Sequence, residues 1–212
     1  MTDKYRALSH SPRVALANFY PFRHGETVGP QWSRSALLLL SLRGAGDISL
    51  GPRRFPLRPG QIQHVPWTTP IHYFSDRRDP FHLIGLHPVY LPWNDPVLDR
   101  ELYHGRPGFD SKVRQFETPP VAMPFMNPFT IDADPDDPAF NQARELVLCY
   151  ENSSQDAESR EAELRARAFL FVRELERLHG LATAATAHPQ AGLVRMLETW
   201  IESNYALPIK RP

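Results

Sequence analysis

The chain is short of cysteine. Its 212 residues include one, Cys149, so it holds no internal disulfide and no cysteine-based zinc cluster. That thiol count fits a reducing compartment. It also lacks an excess of either charge, with 24 Lys and Arg balancing 24 Asp and Glu. Proteins that grip nucleic acid carry a basic footprint, so this chain alone is not expected to bind DNA or RNA strongly. Long apolar runs are missing too. The longest, Ala36 to Leu40, falls far short of the ~18–20 residues that span a bilayer. Residues 1–20 show neither the apolar core nor the cleavage site of a secretory signal. The expectation is a cytoplasmic protein with no membrane partner. No Walker loop, GxGxxG, GxSxG or internal repeat is found.

What is present is a folded-protein composition, 42% hydrophobic and 23% charged, so wholesale disorder is not expected. Proline organises it. There are 22 prolines, about twice the usual ~5%, and most precede residue 139. Proline removes a backbone donor and breaks helix interiors. The first two thirds therefore read as strands and turns, and the last third as helix.

Val14 to Tyr20 is a short apolar and aromatic run, and Ser35 to Leu42 reads as a strand buried on both faces. Gly46 to Leu50 and Phe55 to Leu57 flank a Gly51-Pro52-Arg53 hairpin turn. Arg58-Pro59-Gly60 is a second turn, since proline fixes φ and glycine permits φ > 0. Gln61 to Val65 follows, and Ile71 to Phe74 with Phe81 to Leu86 looks like a further hairpin. Short strands with turns every ~8–12 residues indicate a sandwich or barrel. Val97 to Tyr103 reads as a short helix, and Thr118 to Thr130 as irregular chain laid over the barrel.

Three helices are expected next. Asp137 is an N-cap with Pro138 at the first helical position, and Phe140, Ala143, Val147 and Tyr150 recur at helical spacing. The second helix runs from about Asp156 to His179 and stops at Gly180. Leu164, Ala168, Phe171, Leu175 and Leu178 step by 4, 3, 4, 3 along it, a stripe that packs on the barrel, pairs with a second copy, or does both. Glu161–Arg165 and Glu163–Arg167 are i,i+4 ion pairs. Residues 181–190 read as a linker, and Ala191 to Tyr205 as a third, amphipathic helix.

Candidate chemistry is sparse. His24, His64, His72, His82 and His87 fall in or near the strand region, but no HxH or His/Glu set marks a metal site, and no metal or cofactor is expected. Asp132 to Asp136 alternates like a calcium loop, yet Asp137 and Ala143 stand where glycine and glutamate are needed. An acidic helix-capping loop is the simpler reading. Cys149 has no identifiable base and reads as a packing residue. Trp32, Trp67, Trp93, Tyr20, Phe22 and Tyr73 can wall a ligand pocket, with His24, Arg34, Gln63 and His64 the nearest polar groups.

The order of these parts resembles the sensor half of the AraC family of bacterial transcription regulators. The likeness rests on Trp32-Ser33-Arg34, the strand Ser35 to Leu42, Pro59-Gly60 followed by Gln61 to Pro66, and His72-Tyr73. Gln61 stands where the family has an acidic residue. Leu193 to Ile209, with Trp200-Ile201, Asn204-Tyr205 and Pro208-Ile209, is similar to the first helix of that family's DNA-binding part.

The resemblance implies an α+β architecture in segments. Residues 1–137 would form a cupin-like jelly-roll barrel binding a small-molecule effector, and 138–180 an antiparallel pair of dimerisation helices. A linker at 181–190 and the start of a helix-turn-helix unit at 191–212 would follow. The expected ligand residues are His24, Trp32, Arg34, Leu38, Gln63 and His64, with an arm at Met1 to Ser11 closing over them. The expected homodimer interface is Leu164, Ala168, Phe171, Leu175 and Leu178. DNA would be reached only through a domain beyond this chain, and no catalysis is expected. The alternative is a metal-dependent cupin enzyme, needing two or more of the five histidines on one ion.

Overall fold

The protein is seen in a computed structural model that describes residues 10–33, 35–66, 69–92, 104–105, 129–152 and 156–187. Among the described residues ten strands lie in two sheets: β1 (His10–Pro21), β2 (Thr27–Ser33), β3 (Leu37–Arg43), β4 (Gly46–Leu50), β5 (Arg53–Leu57), β6 (Gln61–Val65), β7 (Ile71–Ser75), β8 (His82–Pro92), β9 (His104–Gly105) and β10 (Phe129–Asp132). Two helices follow, α1 (Pro138–Glu151) and α2 (Ala157–Ala187).

One sheet has the order β1-β8-β3-β6-β10 and the other β5-β4-β7-β2-β9. The antiparallel pairs β1–β8, β2–β7, β3–β6 and β4–β5 nest inside one another. The first eight strands are thus one long hairpin, with β4–β5 at its tip, rolled up so that successive pairs fall in opposite sheets. That winding is a jelly roll. The architecture is α+β, a cupin-like barrel followed by two antiparallel helices.

The turns form where proline and glycine place them. Gly60 has φ of 81°, and its N–H donates to the Ser41 carbonyl at 2.9 Å. The β4–β5 hairpin pairs Ile48 with Phe55 as the sequence reading requires. The expected hairpin of Ile71 to Phe74 with Phe81 to Leu86 does not form. β7 pairs with β2 and β4, while β8 pairs with β1 and β3, because the loop between them carries the chain from one sheet to the other. Phe129 and Thr130, expected in irregular chain, begin β10 and extend the first sheet beside β6. His10 and Ser11, expected in a closing arm, begin β1.

Two apolar layers result. Leu37, Leu39, Val65, Leu83 and Phe81 meet Ile48, Leu50, Leu57, Ile71 and Tyr73 between the sheets. On the outer face of the first sheet, Leu38, Leu40, Ile62, Ile84 and Leu86 meet both helices. Asp137 caps α1, accepting from the Ala139 N–H at 2.9 Å, and takes two further bonds from Arg177 of α2 at 2.7 and 2.9 Å. Both i,i+4 ion pairs form, Arg165–Glu161 at 2.8 Å and Arg167–Glu163 at 2.7 Å. Arg13 of β1, 4% exposed, reaches Glu161 at 3.3 Å, and the Tyr150 hydroxyl donates to the Ala15 carbonyl at 3.1 Å. Cys149 is buried in this layer, and burial pushes its thiol pKa up.

Two expectations for α2 change. The helix does not stop at Gly180 but continues to Ala187, so residues 181–187 are not linker. Four of those seven residues are alanine, the best helix former, which outweighs the ~1 kcal/mol disadvantage of one glycine. The stripe Leu164, Ala168, Phe171, Leu175 and Leu178 is buried against α1 and the sheet within one chain, so it is not free to pair with a second copy. A 4, 3, 4, 3 spacing marks a covered face without saying what covers it. Phe169, Leu170 and Leu148 are the large apolar side chains that stay exposed on the two helices. No helix among the described residues is long and apolar enough to cross a membrane. The short helix at 97–103, the third helix at 191–205 and the DNA-binding start at 191–212 lie outside the described residues.

Candidate ligand cavity

A cavity of about 70 Å³ opens between the two sheets. Its floor comes from β3 and β8, through Leu37, Leu39, Leu83, Gly85 and His87. Side chains alternate across a strand, so the residues between these, Leu38, Ile84 and Leu86, face the helices instead.

Asn18 of β1 pairs with Gly85, and a Cβ on Gly85 would sit 2.7 Å from Asn18 Oδ1. The missing side chain at 85 is what lets the Asn18 amide lie across the sheet. Opposite, Val28 and Gln31 line the cavity from β2. Positions three apart normally point to opposite faces of a strand. Here a bulge between them adds one residue, so Val28 pairs with Tyr73 and Gln31 with Ile71 on the inner side.

One end is aromatic. Phe22 lies 4.4 Å from Tyr20 and 5.4 Å from Tyr73, centroid to centroid, and all three line the cavity. Tyr20 is 39% exposed and donates to Glu26 Oε1 at 3.2 Å, which places it at the rim. Tyr73 is buried, and loss of solvent pushes its hydroxyl pKa well above the ordinary value. At the other end His87, 3% exposed, shares a 2.9 Å hydrogen bond between its Nδ1 and Ser35 Oγ. Ser35 is fully buried behind it. The chemistry on offer is hydrogen bonding from one imidazole and two amides inside an apolar and aromatic wall.

The six expected ligand residues are distributed differently. Leu38 and His64 are on the wrong face: Leu38 packs against the helices, and the His64 ring stacks on Phe129 at 4.9 Å, which in turn contacts His179 of α2. Gln63 pairs with Leu39, but its amide is taken by the Thr130 hydroxyl and the His64 carbonyl. His24 sits in the exposed turn after β1, with Nδ1 3.0 Å from the Arg77 carbonyl. The Trp32 backbone is in β2, paired with Gly105. Arg34, Trp67 and Trp93 lie outside the described residues. The reading missed Asn18, Gln31 and His87. A polar residue amid an apolar strand is the available signal.

The five histidines are scattered. His64 faces the helices, His87 faces the cavity, and His82 lies by Arg43, 3.2 Å from its Nη2. Among the described residues no three His, Cys, Asp or Glu side chains converge as a metal site would require.

No protein-family model and no curated protein matches the chain. Solved structures do. ToxT from Vibrio cholerae aligns with a TM-score of 0.40 and 8% identity over 79% of this chain and 57% of that one. The polyketide cyclase RemF from Streptomyces resistomycificus aligns at 0.33 and 12% over 40% of this chain and 63% of that one. A deletion mutant of the oxalate decarboxylase OxdC from Bacillus subtilis aligns at 0.33 and 12% over 62% and 43%. The chain covers less than two thirds of each of these proteins. These likenesses are of outline only, and the fold rests on the strand order above.

Proposed function

We propose that this chain is the effector-sensing part of an AraC-type transcription regulator, binding a small molecule in the barrel and performing no chemistry on it. One observation supports this most. The sheet that floors the cavity is the sheet that carries the helices, so Leu37, Leu39, Leu83 and His87 on one face alternate with Leu38, Leu40, Ile84 and Leu86 on the other. A ligand that repositions β3 or β8 shifts the bed on which α1 and α2 lie. Such coupling works only if the ligand prefers one of the two arrangements. Ser35 is fully buried behind His87, so the pair reads as an oriented hydrogen-bonding group rather than a nucleophile and its base.

A thermal-shift screen against sugars, small acids, amides and aromatics tests the reading, because a ligand that binds only the native state raises its stability. Saturable stabilisation by an unmodified compound supports a sensor. Conversion of a bound compound to product would overturn it in favour of an enzyme. The regulator reading also calls for two copies acting together through surfaces other than the covered α2 stripe. Sedimentation velocity over a concentration series tests that, with a strictly monomeric chain counting against it.

A further inference from the structure

We infer that the ligand of this cavity carries no net charge where it is enclosed, and that it is read by hydrogen bonds to Asn18, Gln31 and a His87 held in place by Ser35. The inference rests on the reading of the cavity as a receptor site.

Three features carry it. First, the polar groups are built in. Asn18 reaches the floor only because position 85 has no side chain, and Gln31 faces inward only because of the β2 bulge. His87 is fixed through Nδ1 by a fully buried hydroxyl. Amide and imidazole groups both donate and accept hydrogen bonds, which suits an uncharged polar partner. Second, among the described residues the wall offers amide, imidazole and phenol groups but no carboxylate, ammonium or guanidinium. A buried ion without a counter-charge is strongly disfavoured. Third, the wall already penalises charge. Burial, with a smaller contribution from Tyr20, pushes the Tyr73 hydroxyl pKa up, and an anion beside it would meet the same loss of solvent.

The size follows from the space. At roughly 10–15 Å³ for each water-sized group, about 70 Å³ encloses a small polar head. The rest of the ligand then runs out past Tyr20. An amide, a urea, a lactam or a polyol end fits this description, whereas a carboxylate or an ammonium does not. Ser35 acts here as a positioning residue, through the ring it holds.

The test uses three molecules of one shape and three charges: benzamide, benzoate and benzamidine. Each is titrated at neutral pH and followed by the chemical shifts of Gly85 and Leu39, alongside similar neutral and charged trios built on other small rings. The inference expects benzamide, or the neutral member of another trio, to bind at least tenfold tighter than its charged partners. Gly85→Ala, or Val28→Phe if that variant does not fold, should remove the binding. Ser35→Ala should weaken it and alter its pH dependence, while His87→Gln should retain part of it. Charged members binding as tightly as neutral ones, with the same dependence on Gly85 and Val28, would overturn the inference and leave the receptor reading standing. Failure of every member of every trio to bind would count against the receptor reading itself, and the inference would fall with it.

Discussion

Strand β3 is buried at five consecutive positions, Leu37 to Ser41, while β7 alternates buried and half-buried from Ile71 to Ser75. Both strands are central in their sheets. The difference lies in what each sheet has behind it. The first is covered by α1 and α2, and the second has no helix on its outer face among the described residues. A strand covered on both sides is apolar throughout, whereas a strand covered on one side alternates. The barrel therefore has one wall that touches two layers and one that touches a single layer. Among the described residues, the two-layer wall is the one placed to pass a change in the cavity to something outside the barrel.

The largest test of this contrast is on the covered side. Phe171→Ala should lose about 3–5 kcal/mol of unfolding free energy in urea. Phe169→Ala, on the same helix but half exposed, should lose less than about 1 kcal/mol. Equal losses would show that the stripe is not covered as described. Next come the neighbours Leu38 and Leu39, 2% exposed each but on opposite faces. Each alanine variant should cost about 2–5 kcal/mol, yet only Leu39→Ala should change affinity for a compound found in the thermal-shift screen. An affinity change at Leu38 with none at Leu39 would reverse the assignment of faces.

Asp137→Ala removes the cap of α1 and the partner of Arg177, and should lose about 1–2 kcal/mol in the same urea assay. The smallest effect belongs to the uncovered side. Asp76, after β7, accepts from the backbone N–H of Asp79 at 2.9 Å and of Arg78 at 2.6 Å, and these bonds hold its pKa below the ordinary 3.8. A carboxylate with a lowered folded-state pKa stabilises above its unfolded value and loses that contribution as pH falls through the folded one. Asp76→Ala should therefore slightly flatten the decline of Tm between about pH 5 and 3. An unchanged profile would mean these bonds do not persist in solution.

The uncovered sheet was the more legible one. Gly51-Pro52-Arg53 located its β4–β5 turn and Pro59-Gly60 the crossing from β5 to β6, and alternation in β4 gave its inner face. Leu37 to Leu40 carried no such phase, since four identical side chains look the same whichever pair points inward. That is why Leu38 and His64 were expected in the cavity when Leu37, Leu39 and His87 line it. The inward turn of Gln31 was hidden for another reason. It depends on a one-residue bulge, a register feature visible only against β7. The helices were legible through Asp137-Pro138 and the α2 stripe. What covers that stripe was not, because spacing records a buried face and not its partner. The β7–β8 crossing is not legible because a short charged loop looks alike whether it turns within a sheet or crosses between two.

On the proposed function, a ligand between the sheets is felt by the helices on the far side of one of them. Hydrogen–deuterium exchange with and without the most stabilising compound tests it most directly. Exchange is expected to slow in β3 and β8 together with a change in α1 and α2, with little change in β4 and β5. Exchange altered in β3 and β8 while both helices stay as they were would contradict it.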